Sequence, residues 1–208
     1  LALWGATTAP GLAYIPADDH FLCDFPEDVK RYRYYRWLPE EFPLKVYIPQ
    51  PPFQTDNPGM YLPLVQQAFL NWTRYVPAIQ FQWVATPQEA QIVVKWQEKF
   101  PASEATWGQA MYPNPYFDAQ RKLKHKSEIH LALRAQDGTT MIAGQNPFFS
   151  QGELAAIVTH EVGHALGLPH SKGRDDLMSA YIFRFSAESK WGITQRDINT
   201  LKRLYSLP

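Results

Sequence analysis

His160-Glu161-Val162-Gly163-His164-Ala165-Leu166-Gly167-Leu168-Pro169-His170 is the stretch on which the reading of this chain turns. It closes a segment in which Leu154, Ile157, Val158, Val162, Ala165 and Leu166 recur at helical spacing. Ser150-Gln151-Gly152-Glu153 opens that segment in capping-box form, and Gly167 is a natural helix stop. The predicted helix carries His160 and His164 four residues apart on one face, so both imidazoles can bind one tetrahedral metal ion. Glu161 then stands beside the metal, where a carboxylate can take a proton from bound water. Gly167 lets the chain reverse, and His170 can return as a third nitrogen ligand. Three protein ligands leave one position for water, the mark of a catalytic rather than a structural zinc. Three of the chain's six histidines fall in this short window, which argues against scattered, unrelated histidines.

This extended motif resembles that of the metzincin zinc peptidases. Ser171, directly after the third histidine, is similar to the matrixin branch of that clan. Asp175-Asp176-Leu177-Met178-Ser179-Ala180-Tyr181 resembles the methionine turn that lies beneath the metal in those enzymes, with Met178 as its methionine; an ordinary core methionine is the alternative. The ending from Thr194 to Tyr205 resembles the C-terminal helix of prokaryotic matrixin-like proteins. The resemblance spans residues 37–206 and is most specific over 160–181.

It implies an α/β (α+β) metzincin catalytic domain over 37–208. The upper subdomain, 37–167, would hold a twisted, five-stranded mixed sheet and two helices. A small lower subdomain, 168–208, would hold the methionine turn and one helix. It implies one catalytic Zn2+ on His160, His164 and His170, with Glu161 as general base. The expected activity is that of a zinc-dependent endopeptidase, in which zinc-bound water attacks the peptide bond of a protein or peptide substrate. A catalytically silent, zinc-bearing binding module is the alternative, and the presence of Glu161 disfavours it. The substrate would lie extended along an edge strand most like Thr106–Pro113, which makes Trp107, Gly108, Gln109 and Ala110 substrate-binding residues. Ala180, Tyr181 and Ile182, just after the methionine turn, would form the wall of the main specificity pocket.

The chain departs from the animal matrixins in three places. His130 fits one ligand of their second, structural zinc. Gln109 stands where another histidine would be, however, and no His-x-Asp occurs in 113–127, so His130 is expected to be a strand histidine and not a ligand. Leu131-Ala132-Leu133 replaces the acidic run that completes a calcium site, so no calcium is expected. Arg196-Asp197 stands where relatives carry two acids; the first of those acids receives a freed N-terminal ammonium, which Arg196 cannot do.

Composition agrees with one domain plus a short appendage. The chain has 208 residues, 45% of them hydrophobic and 19% charged, enough to bury a sizeable core. Lys plus Arg and Asp plus Glu are 20 each, and the pI is near 7.2, which argues against a basic nucleic-acid face or a polybasic membrane anchor. No apolar run reaches the ~18 residues of a membrane span. The single cysteine, Cys23, excludes an intrachain disulfide and any Cys-rich metal module. A monomer is expected.

Strands are predicted at Leu44–Ile48, Ile79–Val84, Gln91–Trp96, Thr106–Tyr112 and Glu128–Arg134, and helices at Leu62–Tyr75 and from Thr194 onward. Pro113–Ser127, with its basic run Arg121-Lys122-Leu123-Lys124-His125-Lys126, reads as a solvated connecting loop.

Residues 1–36 read as an irregular leader. Leu1–Ala13 is either the remnant of a secretory signal or an extended N-terminus, and export to a secreted or periplasmic location is expected. Leu22-Cys23-Asp24-Phe25-Pro26-Glu27-Asp28-Val29 loosely resembles the switch segment of matrixin precursors, in which a cysteine fills the metal's fourth position. Cys23 would then be a metal ligand in a latent form, as thiolate binds zinc well. Two other readings stay open: Asp24 capping the zinc, or Cys23 buried as a small hydrophobe.

Overall fold

The computed structural model describes residues 19–22, 24, 35–52, 55, 57–101, 103–104, 106–135, 148–180 and 192–206. Its elements, in chain order, are β1 (Leu44–Tyr47), α1 (Tyr61–Thr73), β2 (Phe81–Trp83), β3 (Ile92–Gln97), β4 (Gly108–Ala110), β5 (Asn114–Phe117), β6 (Leu123–Ala132), α2 (Gln151–Ala165) and α3 (Gln195–Ser206). The sheet order is β2-β1-β3-β6-β4, with β5 paired to the outer half of β6. β1 is parallel to β2 and β3, and β3 is parallel to β6, while β4 and β5 run antiparallel to β6. The sheet is therefore mixed, as expected, with one short strand beyond the expected five.

A parallel neighbour requires a crossover, and α1 supplies it between β1 and β2. Its stripe of Val65, Ala68, Phe69 and Trp72 is buried and packs on α2 and the sheet. The Trp72 indole N–H donates to the Thr159 carbonyl at 3.0 Å, which ties α1 to the turn of α2 that carries His160. β6 alternates strictly: Ser127, Ile129 and Leu131 are buried under the helices, while Lys126, Glu128 and His130 face the other way. Ser150 caps α2 as expected, its hydroxyl accepting the Glu153 amide while the Glu153 carboxylate accepts the Ser150 amide.

The stretch 113–127 is a correction. It is a β-hairpin rather than a loop, with β5 and the first half of β6 in register from Asn114↔Lys126 to Phe117↔Leu123. Asp118 builds its turn by accepting the Gln120 and Lys122 amides on one carboxylate oxygen, and Arg121 adopts φ 59°.

Under the same end of the sheet lies a buried polar clasp. The Glu41 carboxylate accepts the Leu38 and His125 amides, each at 2.8 Å, and stands 2.7 Å from His125 Nδ1. Trp37, packed edge-on to His125, donates its indole N–H to the Ala165 carbonyl at the end of α2. No described helix is long and apolar enough to cross a membrane.

Candidate metal centre

α2 presents His160 and His164 from its last two turns, with both side chains buried. Gly167, at φ 98°, then turns the chain back; this left-handed conformation is one that L side chains rarely adopt. The reversal returns His170 to the other two, so that ligand nitrogens of all three lie within 4.8 Å of one another. Nε2 of His164 and Nε2 of His170 are 3.1 Å apart, close to the ~3.3 Å that two nitrogens show on a tetrahedral zinc with bonds near 2.0 Å.

The orientation of two of the three rings is set by backbone carbonyls. His160 Nδ1 donates to the Leu177 carbonyl and His164 Nδ1 to the Leu168 carbonyl, each at 2.7 Å. A carbonyl only accepts, so both Nδ1 atoms carry the proton and both Nε2 lone pairs are left for a metal. Burial holds the imidazoles neutral: His160 is brought down to about 4, His164 well below its ordinary value, and His170 is also lowered. Neutral, converging imidazoles fit a borderline metal such as zinc.

Glu161 is buried beside them, and burial pushes its carboxyl up to about 8, against the Ala110 amide, which favours the ionised form. A cleft of about 420 Å³ runs past these groups. Its walls include Thr106, Gly108, Gln109, Ala110 and Tyr112 along the edge strand, with Ala180 opposite. Tyr112 touches His164 edge-on, with ring centroids 5.7 Å apart. Of the residues read from the sequence as substrate-binding, Gly108, Gln109, Ala110 and Ala180 line the cleft. Trp107 is not among the lining residues; its ring packs on Phe149. Cys23, Tyr181 and Ile182 lie outside the described residues. Thr106 and Tyr112 are additional wall residues, and both belong to the stretch already read as the edge.

Beneath the cluster, Met178 is fully buried and its sulfur lies against Gly163 of α2. The Asp197 carboxylate accepts the amides of Leu177 and Met178 while also accepting from Thr194, so the start of α3 fixes the turn that holds His160. His130 stands apart on β6, with Gln97 and Glu128 each 3.2 Å from one of its ring nitrogens.

Arg196 is the feature that sequence reasoning read least well. Its guanidinium binds Asp176 at 2.7 Å, Asp24 at 2.8 Å and Asp19 at 3.1 Å, and donates to the Ser171 hydroxyl at 2.8 Å. Asp24 also accepts the Lys172 amide at 3.0 Å on its second oxygen. Asp24 thus gives one oxygen to Arg196 and the other to Lys172, two residues past the third histidine. Phe21 and Leu22 are buried, and the Phe21 amide donates to the Thr200 hydroxyl. At its other end the leader places Tyr35 against Tyr112, with centroids 5.6 Å apart.

Compared with known proteins, the chain matches the family model described as Matrixin over residues 61–206. No curated protein matches it.

Proposed function

The chain belongs to the matrixin family of peptidases, and from that premise we propose that it is a zinc-dependent endopeptidase whose metal is held by His160, His164 and His170. The observation that carries the proposal is the convergence of three neutral imidazoles beside a buried carboxylate in a cleft bounded by a sheet edge. A zinc ion bound there would supply Lewis acidity, lowering the pKa of water towards 7 and polarising a substrate carbonyl.

The chain's own residues do the rest. Glu161 takes a proton on its carboxylate from the attacking water and returns it to the leaving amine. Burial alone would keep this carboxyl protonated near neutral pH, and the double positive charge of a zinc bound beside it would favour the carboxylate that accepts the proton. Gly108, Gln109 and Ala110 offer backbone donors and acceptors to an extended substrate added as a further strand, which fixes the scissile bond against the cluster. Ala180, with Tyr181 and Ile182 following, supplies the side-chain pocket.

The leader keeps the enzyme latent until it is removed, with Cys23 as ligand in the closed form. Two contacts support this reading: Asp24 is held by Lys172, two residues past His170, and Tyr35 rests on Tyr112, whose ring touches His164.

The test is hydrolysis of an unfolded protein by leader-clipped chain, with and without a chelator. Activity should vanish with the chelator and return on adding zinc. Hydrolysis that persists in the chelator would defeat the proposal.

A further inference from the structure

The hairpin that replaces the expected loop lies in line with the cleft. β4 and β5 pair with the same side of β6, from Gly108↔Leu131 to Phe117↔Leu123, so they form one edge interrupted only at Met111–Pro113. The interruption is bridged: the Met111 amide donates to the Glu128 carbonyl, and the Ser127 hydroxyl donates to the Met111 carbonyl. Among the described residues no strand pairs with the outer side of β4 or β5. An extended chain laid along β4 can therefore continue onto β5, which begins two residues past Tyr112.

The chemistry along that continuation is one-sided. Arg121, Lys122 and Lys126 are exposed and Lys124 is half-buried, and none of them has a carboxylate partner among the described residues. Lys124 opposes Tyr116 and Lys126 opposes Asn114 in the register, so these four side chains share one face. Lys126 Nζ sits 5.5 Å from the centre of the exposed Tyr116 ring. The lone acid of 113–127, Asp118, spends its Oδ1 on two turn amides. In a chain of zero net charge this is a local concentration of positive potential beside a sheet edge that no described strand covers.

We propose that the β5–β6 hairpin extends the substrate edge and selects extended polypeptide segments bearing acidic side chains about three to six residues from the scissile bond, the reach of β5 at ~3.3 Å per residue. The proposal rests on the peptidase reading for its substrate, and on the hairpin alone for its charge preference.

Two readouts on zinc-loaded chain whose leader has been clipped separate the two. The first is fluorescence anisotropy with a labelled decapeptide carrying aspartates at those positions and with its serine counterpart. At low salt the acidic peptide should bind at least about fivefold tighter, and the preference should fade in 0.5 M NaCl. Lys122→Glu/Lys124→Glu/Lys126→Glu should reverse the preference, and the milder triple change to Gln should abolish it. The second readout is kcat/KM on a neutral peptide too short to reach β5, which the triple variants should leave unchanged. Equal binding of both peptides to the parent, or a preference that survives both triple variants, overturns the inference. Acid preference with no cleavage of any peptide sinks the peptidase reading and leaves the hairpin standing as an acidic-peptide surface.

Discussion

Gly108 illustrates how tightly edge strand and helix are fitted at the scale of single residues. A Cβ at that position would lie 2.6 Å from the Glu161 Oε1, inside van der Waals contact. The carboxylate is the end of a flexible side chain, so it should yield before the sheet does. Gly108→Ala is therefore expected to lower kcat by about a hundredfold, the usual consequence of misplacing a reacting group by ~1 Å. Its thermal melting should stay close to the parent's. Gly167→Ala should behave in the opposite way. At φ 98° and crowding the Tyr35 carbonyl, an added methyl costs about 1–3 kcal/mol of stability, readable by denaturant titration. Unchanged kcat in the first variant, or unchanged midpoint in the second, would show that these readings are wrong. At this scale the histidines and Glu161 are legible because the helical period and one glycine determine where they go. The carbonyls of Leu168 and Leu177 that orient the imidazoles are not, because a backbone acceptor has no sequence signature. Arg196 is legible as a misfit with its family, but its carboxylate partners Asp19 and Asp24 lie more than 170 positions away and no local pattern joins them.

At the scale of elements, the Glu41–His125 clasp joins the turn before β1 to the start of β6, with both side chains buried. Burial by itself would raise the Glu41 pKa, but the His125 ring and the amides of Leu38 and His125 hold it below its ordinary 4.5. A carboxylate held below its unfolded value contributes stability above that value and loses it as pH falls through the lowered one. Glu41→Gln should thus melt at a lower temperature than the parent above pH 4.5. The gap should narrow as the pH is taken below 4.5, where the parent protonates too. A gap that is constant with pH would mean that the clasp acts through packing alone. Elements are also where sequence reading erred. Pro113 and Pro115, with four cations between Arg121 and Lys126, look like a solvated loop, because a strand pairing on one side only can tolerate both features. The period-2 signal of β6 was visible from Glu128 onward, where Ile129 and Leu131 alternate with polar residues. It was hidden before that, where His125 and Ser127 occupy the buried positions.

Across the whole molecule, the leader, the loop after His170 and α3 are joined through one guanidinium. Arg196 gathers Asp19 and Asp24 from the leader and Asp176 from the turn; burial alone would lower its pKa, but these carboxylates hold it above the ordinary arginine value. Arg196→Ala should loosen the leader, seen as faster clipping by a trace protease, and should raise the activity of the unclipped chain by at least about tenfold. Cys23→Ala should be active or self-cleaving as made. A parent chain with full activity and a freely titratable thiol would end the latency reading. The central claim, that one metal on three histidines works with Glu161, is tested most directly by measuring zinc content and peptide hydrolysis on the same leader-clipped samples of parent and Glu161→Ala. Both should hold one zinc per chain, with hydrolysis in the variant lower by at least about a hundredfold. A variant that hydrolyses like the parent, or that loses its zinc together with its activity, would contradict the account.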